Sequence, residues 1–116
     1  MLPVVLLVED DPVLLRLYGR VLRSARYELE LASTPAQALS EALRVGERLK
    51  LLITDQNLNG RGEDLARDLC RRLPHLKVLV LSGEVGLKVE GYDVLEKPFE
   101  IDVLQAKVLE KLDILE

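Results

Sequence analysis

The sequence predicts an α/β domain built on an open, doubly wound parallel sheet. Three observations predict it: short aliphatic runs alternate with longer stretches of helical period, each change of period falls at polar, Gly or Pro residues, and 116 residues leave room for one core. Composition agrees, since 48% hydrophobic and 31% charged residues are the balance of a folded chain. Aromatics make up 3% and Trp is absent, so the interior must be aliphatic.

Val4 to Val8 is a near-continuous apolar run, as expected of a strand covered by helices on both faces. Asp11-Pro12 supplies an N-cap and a first-turn proline, and Leu14, Leu17, Tyr18, Val21, Leu22 and Ala25 recur at helical steps. Tyr27 to Ala32 reads as an outer second strand. Thr34, Pro35 and Gln37 form a capping box for a helix running to about Gly46. Leu51 to Thr54 is the third strand, and Leu65, Ala66, Leu69, Cys70 and Leu73 mark a helix ended by Pro74. Val78 to Leu81 is strand four. Three glycines between Ser82 and Asp93 leave no convincing helical stripe, so a helix there must be short or distorted. Val94-Leu95 belongs to strand five, and Ile101, Leu104, Val108, Leu112 and Leu115 form the apolar face of a closing helix. The whole chain, 1–116, reads as one domain.

Several function classes fall away. Sixteen Lys and Arg against twenty Asp and Glu give a charge of -4, and with few aromatics to stack bases, direct nucleic-acid binding is not expected. No apolar run approaches the roughly 18–20 residues of a membrane span, and no basic leader precedes the first strand, so no membrane partner is expected. Cys70 stands alone, which excludes an intramolecular disulfide, argues against a cysteine-based zinc site and fits a reducing cytoplasm.

In doubly wound sheets ligands bind beyond the carboxyl ends of the strands. Strand one ends in Glu9-Asp10-Asp11, strand three in Asp55-Gln56-Asn57, strand four in Ser82-Gly83 and strand five in Glu96-Lys97-Pro98. Like charges at contact distance repel by about 1 kcal/mol in water and about 4 kcal/mol at an effective dielectric near 20. Lys97 can neutralise one of these acids. The remainder call for a hard divalent ion on oxygen ligands, magnesium with manganese as the alternative. A carboxylate held rigidly at a strand end is then a nucleophile toward phosphorus, with the ion, Lys97 and the Ser82 hydroxyl each facing one oxygen of the transferring group.

These pieces, in this order and spacing, resemble the response-regulator receiver domains of two-component signalling over essentially the whole chain. The resemblance rests on Glu9-Asp10 after Val4-Val5-Leu6-Leu7-Val8, Asp55 after Leu51-Leu52-Ile53-Thr54, Ser82 after strand four, and Lys97-Pro98 before Phe99. It implies a flavodoxin-like sheet of order 2-1-3-4-5 with helices on both faces and a shortened fourth helix. It also implies a cis Lys97-Pro98 bond. Asp55 would be the phosphoacceptor, Asp10 a direct magnesium ligand, Glu9 a ligand through water, and Asn57 a ligand through its backbone carbonyl. Ser82 and Lys97 would hold the phosphoryl oxygens. The implied partner is a histidine kinase or a histidine phosphotransfer domain, a homodimer is left open, and the domain would catalyse its own phosphorylation and dephosphorylation.

Two features depart from the family pattern. Val94 stands where an aromatic usually takes part in switching, with Tyr92 two positions earlier, and only fourteen residues separate Ser82 from Lys97. These point away from the usual output face and toward a domain that relays or drains phosphoryl groups, or that serves a larger kinase. Asn57 and Glu84 occupy positions that in the family tune access of the hydrolytic water, and polar groups there fit a short-lived phosphoryl group. A docking module independent of phosphorylation is the alternative reading. A small magnesium phosphohydrolase ranks below both, because no cap domain and no general acid accompany Asp55. Plainer roles suffice elsewhere: Asp11 as a helix cap, Cys70 as a small core residue, His75 as an exposed bystander, and the arginines near residues 61–72 as a solvated, ion-paired face.

Overall fold

The computed structural model describes residues 1–58 and 61–114. Strands β1 (Val4–Val8), β2 (Glu28–Ala32), β3 (Leu49–Asp55), β4 (Lys77–Ser82) and β5 (Asp93–Glu96) alternate with helices α1 (Pro12–Val21), α2 (Pro35–Val45) and α3 (Gly62–Arg72), before α4 (Ile101–Lys111) closes the chain. All neighbouring strands pair in parallel, in the order β2-β1-β3-β4-β5.

Period-two alternation divides the core into two layers. Val4, Leu6, Val8, Leu52, Val78 and Val80 face Ala38 and Ala42 of α2 and Leu65, Ala66 and Leu69 of α3. Val5, Leu7, Leu51, Ile53, Leu79 and Leu81 face Tyr18 and Leu22 at α1 and Leu104 and Val108 of α4. Because both faces are covered, β1 is apolar throughout and fully buried. A register shift at Val4/Val5 skips Lys50, which lets that lysine sit exposed within β3.

Local chemistry explains the helix starts. Asp11 caps α1, its Oδ1 accepting the Val13 and Leu14 amides at 2.9 and 3.3 Å. Thr34 Oγ1 accepts the Gln37 amide at 3.1 Å. Gln37 Oε1, however, bonds Ser33 N and Oγ, each at 2.9 Å, one residue beyond the reach of a standard capping box. Two residues expected on the α1 core stripe lie elsewhere. Leu17 is exposed, and Ala25 falls beyond the end of the helix, also exposed. Helix α1 stops early because the buried Tyr27 hydroxyl donates to the Leu22 carbonyl and turns the chain toward β2. Leu115 lies outside the described residues.

The shortening expected between β4 and β5 is complete, since residues 83–92 hold no helix. Gly86 and Gly91 adopt φ of 74° and 89°, in the left-handed region, which breaks helical continuity. Val89 pairs with Tyr92 in an isolated antiparallel bridge, and Tyr92 and Val94 pack against the core on the α2/α3 side. Helix α4 is pinned to the start of β5 by the Lys111–Asp93 ion pair.

The Tyr27 contact makes a prediction about this frame. Tyr27→Phe leaves the Leu22 carbonyl without its donor in a buried position, at a cost of about 1–2 kcal/mol. Thermal melting should show Tm lowered by about 4–8 °C with native secondary structure retained.

Candidate functional site

The parity that sends Val5 and Leu7, Leu51 and Ile53, and Leu95 toward α1 and α4 continues to Glu9 just past β1, to Asp55 at the last position of β3, and to Lys97 just past β5. One sheet face therefore delivers three charged side chains to a single corner. Glu9 is 1% exposed and Asp55 5%, while Asp10, one residue out of phase, is exposed at the rim. Oxygens of Glu9, Asp10 and Asp55 all lie within 4.8 Å of one another.

Lys97 is the cation in this corner, its Nζ standing 3.3 Å from Asp55 Oδ1 and 3.8 Å from Glu9 Oε1. Its backbone is fixed on both sides, by a 2.7 Å hydrogen bond from its amide to the Ser82 carbonyl and by the cis bond to Pro98. Phe99 then packs against Tyr18 of α1, with ring centroids 6.1 Å apart. Glu9 Oε2 accepts the Asp11 amide at 3.1 Å, whereas Glu9 Oε1 is buried without a hydrogen-bond partner. Burial foremost, and then the Asp55 charge, push the Glu9 carboxyl up to about 7, against the lowering effects of the Asp11 amide and Lys97.

An orphaned buried oxygen, three converging carboxylates and the absence of sulfur or imidazole among them suit a hard divalent cation such as magnesium. Two further sequence-predicted residues touch the corner differently. Asn57 is exposed, and its amide donates to Asp55 Oδ1 at 3.4 Å. Ser82 is buried at the end of β4, and its Oγ accepts the Glu84 amide at 3.0 Å rather than meeting an acid. That bond uses a lone pair and leaves the hydroxyl proton for an anionic acceptor.

Sequence reasoning missed Gly62. An added Cβ there would stand 2.1 Å from the Asp55 carbonyl oxygen and 3.0 Å from its carbon, so α3 begins directly against the backbone of the phosphoacceptor candidate. The Gly62 amide also donates to the Gln56 carbonyl at 3.1 Å. Its signal was a glycine at the first helical position, where nothing in helix propensity asks for one. Sequence reading also missed Glu96, whose Oε1 accepts the Gly86 amide at 2.6 Å and ties down the loop between β4 and β5. His75 is exposed as expected, yet its Nε2 lies 2.9 Å from the Leu49 carbonyl and anchors the turn before β4.

Two outcomes follow from this geometry. Gly62→Ala drives a methyl into backbone, so it should destabilise the fold by about 1–3 kcal/mol and displace Asp55, read as lowered Tm together with shifted Asp55 and Gln56 amide resonances. For Glu9 the pH dependence has a definite sign. Its folded value of about 7 lies above the ordinary 4.5, so its contribution to stability is complete below about 4.5 and is lost as pH rises through about 7. In chelator-treated buffer the unfolding free energy should fall between these limits by an amount on the order of 3 kcal/mol, and Glu9→Gln should flatten the profile.

Comparison with known proteins agrees with the geometry. The family model for the response regulator receiver domain matches residues 5–109. The transcriptional regulatory protein AruR of Pseudomonas aeruginosa is 31% identical over 109 residues, covering 84% of this chain and 44% of that protein. The signal receiver domain of an HD domain-containing protein from Pseudomonas fluorescens superposes with a TM-score of 0.84 at 27% identity, covering 97% of this chain and 96% of that one. The receiver domain of the hybrid histidine kinase CckA superposes with a TM-score of 0.82 at 29% identity, covering 94% and 98%. The chain spans between 14% and 62% of the length of the curated relatives it matches. Among the described residues no helix is long and apolar enough to cross a membrane. Matched over most of its length, and folded as these domains fold, the chain belongs to the response regulator receiver domain family.

Proposed function

We propose that this chain is the phosphoacceptor of a two-component phosphorelay and takes a phosphoryl group from a phosphohistidine onto Asp55 in a magnesium-dependent reaction. The observation that carries the reading is Lys97 Nζ at 3.3 Å from Asp55 Oδ1, inside a corner where three carboxylates converge. Lys97 and the Asn57 amide both hold Oδ1, which fixes the rotation of the carboxylate. Attack forms the Asp55 O–P bond as the P–N bond of the donor breaks, and the imidazole nitrogen leaves with the bonding electrons. Lys97 then pairs with one phosphoryl oxygen, and Ser82 donates its hydroxyl proton to another.

Glu9, Asp10 and Asp55, with the Asn57 carbonyl, would hold the ion, which supplies positive charge against the oxygens of the transferring group. The exposed side chains of Asn57 and Glu84 leave the rim open to water, in keeping with a short-lived adduct. The partner would be a histidine kinase or a histidine phosphotransfer domain in the cytoplasm. One further reading has specific support: Val94 in place of the expected aromatic and the helix-free segment 83–92 favour a domain whose docking is independent of phosphorylation. Equal partner affinity with and without a phosphoryl mimic would select that reading.

Incubation with acetyl phosphate and magnesium should add one phosphoryl mass to the intact protein, and the adduct should vanish in Asp55→Asn and on chelation. Lys97→Ala should slow its formation by roughly 10²-fold or more, as removal of an electrostatic stabiliser does. An adduct that persists in Asp55→Asn would contradict the assignment.

A further inference from the structure

Ser82 ends β4 and opens a connection, residues 83–92, that has no helix to hold its shape. Gly83 and Gly86 bracket its first turn, Gly86 at φ 74°, so the backbone has little stiffness of its own there. Glu84 is exposed and Val85 is 86% exposed, so core packing does not hold the turn either. Two side-chain hydrogen bonds do. Ser82 Oγ accepts the Glu84 amide at 3.0 Å at the near end, and Glu96 Oε1 accepts the Gly86 amide at 2.6 Å at the far end. The second has a carboxylate acceptor at short distance, which is the stronger kind of bond.

The sheet puts Glu96 where it can do this. Ser82 and Glu96 are partners in the parallel β4–β5 register, and the next residue, Lys97, donates its amide to the Ser82 carbonyl at 2.7 Å. Strand β5 and its exit therefore grip the turn twice, through the Lys97 backbone at Ser82 and through the Glu96 side chain at Gly86. Alternation along the strand sends Glu96 away from the face that carries Lys97, so its carboxylate stands apart from the three that converge at the corner. The consequence falls on Ser82. Its Oγ uses a lone pair on the Glu84 amide, so the direction of its single proton depends on where Glu84 sits. Without the anchor at Gly86, the Glu84 amide drifts off Oγ and the hydroxyl loses its orientation.

We propose that Glu96 is a positioning residue for phosphoryl transfer: its carboxylate fastens Gly86, which keeps the Glu84 amide on Ser82 Oγ and the Ser82 hydroxyl proton free for a phosphoryl oxygen. The proposal rests on the phosphoacceptor reading and names the residue that presets one of its phosphoryl contacts. Leu81 pairs with Asp55 in the β3–β4 register, so the residue after it enters the corner at the level of the nucleophile. A donor fixed in advance acts on charge as it develops, and a displacement of about 1 Å is enough to lower a rate by about 10²-fold. The fastened turn stands in for the missing helix of 83–92: Ser82 is held in place before the phosphoryl group arrives instead of being drawn to it.

The test compares E96D, which keeps the charge and loses one methylene of reach, with E96Q, which keeps an acceptor oxygen at the same reach without the charge. Glu96 is exposed on an edge strand, so neither change removes core packing. Labelling of the full chain by acetyl phosphate and magnesium is followed by intact mass, alongside hydrogen exchange of the Glu84 and Gly86 amides. E96D should slow adduct formation about fivefold and speed exchange of both amides about tenfold, while E96Q stays within about twofold of the unaltered chain in both measurements. In a Ser82→Ala background E96D should change the rate by less than about twofold, because its effect passes through the Ser82 hydroxyl. E96Q slowed as much as E96D, E96D at the normal rate, or a fivefold loss that persists without the Ser82 hydroxyl would each overturn the proposal. An unaltered chain that takes up no phosphoryl group overturns the phosphoacceptor reading and this role with it, whereas normal labelling with an unaffected E96D overturns the role of Glu96 alone.

Discussion

Glu9 and Asp55 are carboxylates held out of water within reach of each other and of Asp10, with one ammonium, Lys97, between them. Isolated charges in such a place are expensive, and one cation cannot balance three acids. The rest of the domain is arranged around that imbalance. Sheet parity aims the side chains, the Lys97 amide is tied to Ser82, and Gly62 lets α3 start close enough to brace the Asp55 backbone. A corner that is over-supplied with negative charge until something cationic arrives is poised for a divalent ion and for a group whose oxygens that ion and Lys97 can share.

Much of this was legible because the chemistry is local. The five strands follow from aliphatic runs, the helix starts from Asp11-Pro12 and Thr34-Pro35, and the residues of the corner from what stands immediately after each run. What escaped is set by tertiary contact. Helix α1 ends four residues before Ala25 because Tyr27 reaches back to Leu22, a bond that no periodicity announces. Gly62 matters only because the Asp55 carbonyl lies against it, and Glu96 only because the Gly86 amide is brought to it across the β4–β5 connection. The glycines of that connection warned of a poor helix, but the loss of the whole helix depended on positive φ at Gly86 and Gly91.

The connection between β4 and β5 bears on how the domain speaks to others. Tyr92 lies under Arg67, whose guanidinium carbon is 5.8 Å from the ring centroid, and packs toward the α2/α3 layer, while Val94 fills the next inward position with an aliphatic side chain. The inward position that precedes Leu95 and Lys97 is therefore held by an aliphatic side chain rather than an aromatic one.

The most direct measure of the central claim is paramagnetic broadening by manganese, followed on amide resonances at substoichiometric ion. Convergence of the three acids predicts broadening confined to the neighbourhood of Glu9, Asp10, Asp55 and Lys97, saturating as a single site, competed by magnesium and abolished in Asp10→Asn. Diffuse broadening over the other surface carboxylates, or an unchanged pattern in Asp10→Asn, would contradict it.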